Sequence, residues 1–146
     1  MAIMMPQLLV VDREKRTLNI YRWSLRRRRY IKRKSFEVTV GKLGHETPHG
    51  LYFVEHKSRT PDWAVPKDPD YPSEKWGMVY KFGEPGNPFA GGFLSLHGKE
   101  SGVGIHGTSF DPMVGTASSH GCIRMRTEDL LKIYDKVGLN TPVYLH

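Results

Sequence analysis

Ser118-Ser119-His120-Gly121-Cys122-Ile123-Arg124-Met125 holds the only cysteine of a 146-residue chain, and His106-Gly107-Thr108 stands one loop before it. The thiolate is the reactive form of cysteine, and at an ordinary pKa of ~8.5 only a few per cent is ionised at neutral pH. A neighbouring imidazole can raise that fraction and later hand the proton to a leaving amine. Two histidines converge on this thiol, so the pattern implies acyl transfer through a thioester. The same stretch directs the fold. Val103-Gly104-Ile105 reads as a short apolar strand ahead of His106. The loop Ser109–Ser118, with Pro112 and Gly115, is long enough to return Cys122 to a neighbouring sheet segment.

Outward from that stretch the chain reads mainly as short strands. Leu8–Val11 and Thr17–Tyr21 flank a polar Asp12–Arg16 turn, predicting a first hairpin. Phe36, Val38 and Val40 alternate with Glu37 and Thr39 in a half-buried strand ending at Gly41. Leu51–Glu55, Met78–Phe82, Phe93–Leu96 and Val103–His106 continue the pattern, and Val143–Leu145 closes it after Pro142. One stretch reads as a helix, with Thr127 as N-cap, Glu128 and Asp129 in the first turn and Gly138 as the C′ residue. Its Leu130, Ile133, Tyr134 and Val137 share one face. Arg59–Trp76, with four prolines, predicts an irregular loop over one side of a cleft. The expectation is a mainly β fold, a β-sandwich or mixed sheet, with one principal C-terminal helix packed on it and a single domain over residues 1–146.

Composition is ordinarily globular, with 38% hydrophobic and 25% charged residues, enough to bury a core of its own. No apolar run approaches the ~20 residues that a bilayer requires. Met1–Met5 carries no basic residue and Leu8–Val11 is too short for the apolar region of a signal peptide. The net charge of +7 is localised. Arg22, Arg26–Arg29, Lys32, Arg33 and Lys34 carry eight positive charges without an acid among them, leaving 14 basic against 15 acidic residues elsewhere. Two readings stand: a solvated hairpin whose like charges discourage edge pairing, or a surface for anionic polymers. No helix-turn-helix pattern or RNA-binding aromatic motif accompanies the charge, so nucleic acid is not the expected partner.

A lone Cys is commonly a small buried hydrophobe. Cys122, however, sits in a Ser/His/Gly turn that is an unusual setting for a core residue. The His120-Gly121-Cys122 turn can aim consecutive N–H groups at a carbonyl oxygen, forming an oxyanion hole, and Gly121 permits close approach of a substrate. Zinc on His106, His120 and Cys122 is the competing reading. The chain offers no second Cys, and its H-E-x-x-H string at His45–His49 is broken by Pro48 and makes no helix to complete such a centre, so no metal is assigned to the site.

These residues resemble the catalytic domains of the YkuD-type L,D-transpeptidases, whose signature is a His, a loop, and a Ser/Thr-His-Gly-Cys block followed by an apolar residue and Asn or Arg. The resemblance extends to Leu8–Tyr21, to Val40-Gly41-Lys42 with Thr47-Pro48-His49-Gly50, and to the terminal helix and strand. The Arg-rich Arg22–Lys34 segment and His49 depart from it. The resemblance implies Cys122 as nucleophile and His106 as general base and acid. It implies the Gly107 carbonyl as the group that orients the His106 ring, and His120, Gly121 and Cys122 as oxyanion-hole amides, with His120 also shaping the pocket. Arg124 would bind a substrate carboxylate or brace the loop, and Ser119 would fix the turn. Ser119, Gly121, Arg124 and Thr108 are the candidate substrate-binding residues. The implied partners are peptidoglycan stem peptides, with carbapenem-type β-lactams as inhibitors and anionic cell-wall polymers held through Arg26–Lys34. No metal or organic cofactor is implied, and the expected place of action is extracytoplasmic, at the cell wall or periplasm. An L,D-carboxypeptidase using the same Cys and His with water as acceptor, or a wall-polymer-binding module, are the alternatives.

Overall fold

Leu9 and Val11 are buried and alternate with half-covered neighbours in β1 (Gln7–Asp12), while Leu18 and Ile20 repeat the pattern in β2 (Thr17–Ser24). The two strands pair antiparallel in the register Leu9↔Ile20 and Val11↔Leu18, which turns all four apolar side chains to one face. The turn between them is closed by the Lys15 N–H donating to Asp12 Oδ1 at 2.8 Å. The computed structural model describes residues 6–108 and 110–146; Met1–Met5 and Ser109 lie outside the described residues, and with them the N-terminal signal reading and one end of the expected loop.

The long β3 (Arg29–Gly41) changes partner along its length. Its first part pairs with β2 as an exposed hairpin that carries the basic cluster, and its last residues, Val38 to Val40, enter the core. The chain continues through β4 (Gly50–Ser58), β5 (Trp63–Ala64), β6 (Val79–Tyr80), β7 (Phe89–His97), β8 (Gly104–Thr108), β9 (Ala117–Ser119), β10 (Ile123–Arg126), α1 (Thr127–Tyr134) and β11 (Pro142–Leu145). Nine strands form one mixed sheet in the order β10-β8-β7-β4-β11-β1-β2-β3-β9. The β1–β11, β8–β10 and β3–β9 pairs are parallel and the rest antiparallel. β10 also pairs with β3, Arg124↔Thr39 and Met125↔Val38, so the curved sheet closes on itself around a single core. Leu9, Leu18, Val38, Tyr52, Val54, Leu94, Ile105, Ile123, Met125, Val143 and Leu145 fill it, each aliphatic side chain contributing about 1.5–3 kcal/mol by burial.

Helix α1 covers the β7–β8–β10 side of the sheet with Leu130, Ile133 and Tyr134. Its ends differ from expectation. Arg126, not Thr127, is the N-cap, and it makes no side-chain capping bond. The Thr127 hydroxyl instead donates to the Thr108 carbonyl at 2.9 Å, anchoring the helix start to β8. The helix stops at Tyr134, ahead of Gly138, and Lys57 Nζ reaches the Tyr134 and Val137 carbonyls, satisfying acceptors that a C′ glycine motif would have served. The Met78–Phe82 segment yields only β6, which pairs with β5 as a separate ribbon outside the main sheet. The proline-rich segment therefore holds a strand and a 3₁₀ turn at Ser73–Lys75. Within the stretch read as a Ser109–Ser118 loop, Asp111–Met113 is a 3₁₀ turn and Ala117–Ser119 is a strand against β3. Among the described residues no helix is long and apolar enough to cross a membrane.

Candidate active site

Parallel strands β8 and β10 bring the two candidate catalytic residues together. Their register, Ile123↔Ile105 and Arg124↔His106, sets Cys122 at the entrance to β10 beside the strand that carries His106. On the other flank of β8, a bulge at Gly91-Gly92 shifts the β7 register so that Phe93 lies opposite His106. The Phe93 ring stacks on the imidazole, with centroids 5.6 Å apart and planes at 7°, and Phe89 meets its edge at 4.6 Å. His106 is 2% exposed. Its Nδ1 donates to the Gly107 carbonyl at 2.7 Å; a carbonyl can only accept, so the neutral ring keeps its lone pair on Nε2. Position 107 tolerates no larger residue, because a Cβ there would lie 1.9 Å from the Ala90 carbonyl oxygen.

The Ser119–Cys122 turn is held by two hydroxyls. Ser119 Oγ donates to the Cys122 carbonyl at 2.6 Å and accepts the Gly121 N–H at 3.2 Å. Thr47, 1% exposed, donates to the Gly121 carbonyl at 2.9 Å and accepts the Gly41 N–H at 2.9 Å. Gly121 adopts φ 119°, a region that L side chains rarely enter. The Thr-Pro-x-Gly turn thus clamps the cysteine turn across the fold, a role that residue pattern alone did not assign to Thr47. Its only signal was a hydroxyl placed just before Pro48 in a loop. The Gly121 amide is committed to Ser119, which removes it from the expected set of oxyanion donors in this conformation.

Burial dominates the electrostatics. It pushes the Cys122 thiol up, against the smaller opposing effects of the Gly104 main chain and the Arg124 charge. It lowers His106 to about 4, with Arg124 acting in the same direction and the Gly107 hydrogen bond against it. Thiol and imidazole are therefore both neutral at rest near pH 7, and the expectation that His106 raises the resting thiolate fraction is corrected. Cys122 Sγ donates to the Gly102 carbonyl at 3.7 Å, and among the described residues it makes no hydrogen bond to His106.

Cys122, His106, His120 and Arg124 line one groove of about 240 Å³. Trp63, Ala64, Pro66 and Tyr71 of the proline-rich segment also line it, together with Phe89, Phe93 and Gly102. Among the described residues Arg124 Nε is buried in this region without a hydrogen-bond partner, a donor left open to an incoming acceptor. His120 packs on Tyr71, with centroids 5.2 Å apart, and its Nε2 donates to Asp70 Oδ2 at 2.8 Å. Thr108 does not reach the groove. It is 6% exposed and its hydroxyl accepts the Phe110 N–H at 3.1 Å, within the turn that leaves β8. Of the metal-ligating types, His45, Asp68, Asp70 and His120 cluster among the described residues, and neither His106 nor Cys122 belongs to that group.

A larger cavity, about 650 Å³, opens elsewhere, between the β2–β3 hairpin and α1. Arg22, Arg33, Lys34, Lys132 and Lys136 line it with Gln7 and Trp23, and it contains no nucleophile. Arg26–Arg29 are not among its lining residues, so the basic cluster divides between a hairpin tip and a cleft.

The family described as YkuD, L,D-transpeptidase catalytic domain, matches residues 6–145. The chain is 30% identical over 138 residues to YkuD of Bacillus licheniformis, covering 94% of this chain and 64% of that protein. It is 28% identical over 113 residues to YkuD of Bacillus subtilis, covering 77% and 53%. With YbiS of Escherichia coli K12 it shares 32% identity over 121 residues, 73% of this chain and 35% of that one. These relatives carry L,D-transpeptidase assignments, and the chain spans only part of each. Among solved structures, LD transpeptidase LdtMt1 in complex with imipenem superposes with a TM-score of 0.71 at 18% identity, over 97% of this chain and 59% of that one. L,D-transpeptidase 3 from Mycobacterium tuberculosis, in complex with a faropenem-derived adduct, gives 0.68 at 18%, over 97% and 60%. At that identity the superpositions establish the fold, while the sequence match over nearly the whole length establishes kinship: the chain belongs to the YkuD family of L,D-transpeptidase catalytic domains.

Proposed function

We propose that residues 1–146 act as one catalytic domain that cross-links peptidoglycan stem peptides through a Cys122 thioester. The observation that carries this reading is the Nδ1-protonated, Nε2-free His106 in the same groove as the only thiol. Substrate binding brings the two into register. Cys122 Sγ attacks the carbonyl of the third residue of a tetrapeptide donor, His106 Nε2 takes the thiol proton, and the Cys122 main-chain N–H stabilises the oxyanion. His106 then protonates the departing amine, D-Ala leaves, and the third-position diamino acid of a second stem surrenders a proton to His106 as its amine captures the acyl group. Exclusion of the bulk solvent matters because both resting groups are neutral; the aromatic wall of Phe89 and Phe93 around His106 supplies it. Arg124, with its unpartnered Nε, holds a substrate carboxylate or carbonyl. His120 shapes the groove, and Ser119 and Gly121 maintain the turn.

Carbapenem-type β-lactams acylate the same sulfur in this reading; imipenem and faropenem-derived groups occur in the structural relatives named above. The site of action is extracytoplasmic, at the wall. Anionic wall polymers bind through the Arg26–Lys34 segment, of which Arg33 and Lys34 line the cleft together with Arg22, Lys132 and Lys136. Mass spectrometry after incubation with imipenem, and separately with a disaccharide tetrapeptide, tests the reaction. An adduct on Cys122 and loss of D-Ala are expected, both absent in Cys122→Ala; retained turnover by Cys122→Ala would overturn the mechanism. Adding an amine acceptor separates cross-linking from carboxypeptidase hydrolysis.

A further inference from the structure

His45, Asp68, Asp70 and His120 arrive from three separate segments: the turn after β3, the proline-rich segment, and the cysteine turn. One ligand atom from each lies within 4.8 Å of all the others. His45 Nε2 stands 2.8 Å from Asp68 Oδ2, His120 Nε2 stands 2.8 Å from Asp70 Oδ2, and the two imidazole rings meet edge to face with centroids 4.9 Å apart. Two imidazole nitrogens and two carboxylate oxygens form a donor set suited to zinc and its late first-row neighbours, unlike the oxygen-only sets of Mg²⁺ and Ca²⁺. We propose that these four residues form a divalent transition-metal site of the Zn²⁺ class in the groove wall, separate from the Cys122–His106 pair.

The surroundings fit such an ion. Asp68 Oδ1 accepts the Asp70 N–H at 2.8 Å, which orients this carboxylate and leaves Oδ2 facing the cluster. Asp68 meets the Asp70 N–H and His45, and Asp70 meets Lys42 and His120. Lys42, paired with Asp70, is a built-in competitor for an arriving dication. His45 Nδ1 limits affinity. Among the described residues it is buried without a partner, and metal binding at Nε2 moves the ring proton onto it with no acceptor among them in reach. The site is therefore weaker than a closed thiolate centre. When filled, it ties the Asp68–Asp70 segment to His120, two residues from Cys122, and stiffens the groove wall.

The test is a titration of the full chain with Zn²⁺ and with Co²⁺ near neutral pH, in the wild type and in Cys122→Ser. The expected result is one saturable equivalent in both. Visible Co²⁺ d–d bands should appear without the near-ultraviolet thiolate charge-transfer band, and the melting temperature should rise with metal. Asp68→Asn and His45→Gln should each weaken binding about tenfold or more, and Lys42→Ala should tighten it. Three results overturn the site: no saturable binding, binding insensitive to Asp68→Asn, or a thiolate band with binding lost in Cys122→Ser. Should His45→Gln fail to fold, Asp68→Asn and Lys42→Ala still decide, since a purely ionic network takes up no metal when Lys42 is removed. None of these readouts uses transpeptidation, so the metal site and the proposed reaction fail independently.

Discussion

Residue by residue, burial rather than pairing governs the reactive groups. A raised thiol and a His106 at about 4 do not form an ion pair at rest. Alkylation of Cys122 by iodoacetamide should therefore be slow at pH 7 and climb about tenfold per pH unit towards pH 9, following the thiolate fraction. A rate already on its plateau below pH 7 would reveal a resting thiolate–imidazolium pair. The same balance predicts a kcat/KM profile whose acid limb lies near the His106 value of about 4 rather than at 6.5, because a neutral Nε2 is what catalysis needs. A pH–rate series on a stem-peptide donor measures it. The Cys–His pairing was legible from residue type and spacing. The direction of the His106 shift was not, since its burial depends on Phe89 and on Phe93, which the β7 bulge places opposite His106.

Among the elements, the cysteine turn depends on a turn far away in sequence. Thr47 bridges Gly41 and Gly121, one buried hydroxyl serving as both donor and acceptor. Thr47→Val should leave a buried N–H and a buried carbonyl unpaired and cost roughly 2–4 kcal/mol, measured by urea denaturation. Acylation by imipenem should fall further than folding loss accounts for, and Thr47→Ser should restore both. A Thr47→Val protein acylated at the wild-type rate would remove Thr47 from the positioning of Cys122. The strands at Leu8–Tyr21, Phe36–Val40 and Val143–Leu145 were legible because their alternation directly reports one buried face. The helix ends and β9 were not. Lys57, Thr108 and β3 supply their partners from distant sequence, and local capping signals carry no record of them.

Taken whole, the molecule stores an acid sensitivity in its core. His106 titrates near 6.5 when unfolded and at about 4 when folded, so the unfolded chain binds the extra proton between those values. Stability is complete above about pH 6.5 and declines as pH falls towards 4, by about 3 kcal/mol from this group. Urea unfolding at pH 7 and pH 4.5 should display that loss in the wild type and a smaller one in His106→Gln; equal losses would assign the effect elsewhere. The basic cleft acts at the same scale. Charge-reversing Lys34 and Lys136 together should weaken binding of an anionic wall polymer and flatten its salt dependence, while leaving Cys122 acylation unchanged.

Sequence alone determined the mainly β character, the first hairpin, the family and the Cys122–His106 pair on which the proposed chemistry rests. Each is written in local alternation or in a short motif whose residue types constrain their own surroundings. Tertiary structure decided the rest: closure of the sheet through β10 and β3, the Thr47 clamp, the burial of Thr108, the resting neutrality of Cys122 and His106, and the gathering of His45, Asp68, Asp70 and His120. These are long-range facts. Solvent exclusion and hydrogen-bond completion depend on which distant segments meet, and that is settled only when the sheet has curved back on itself.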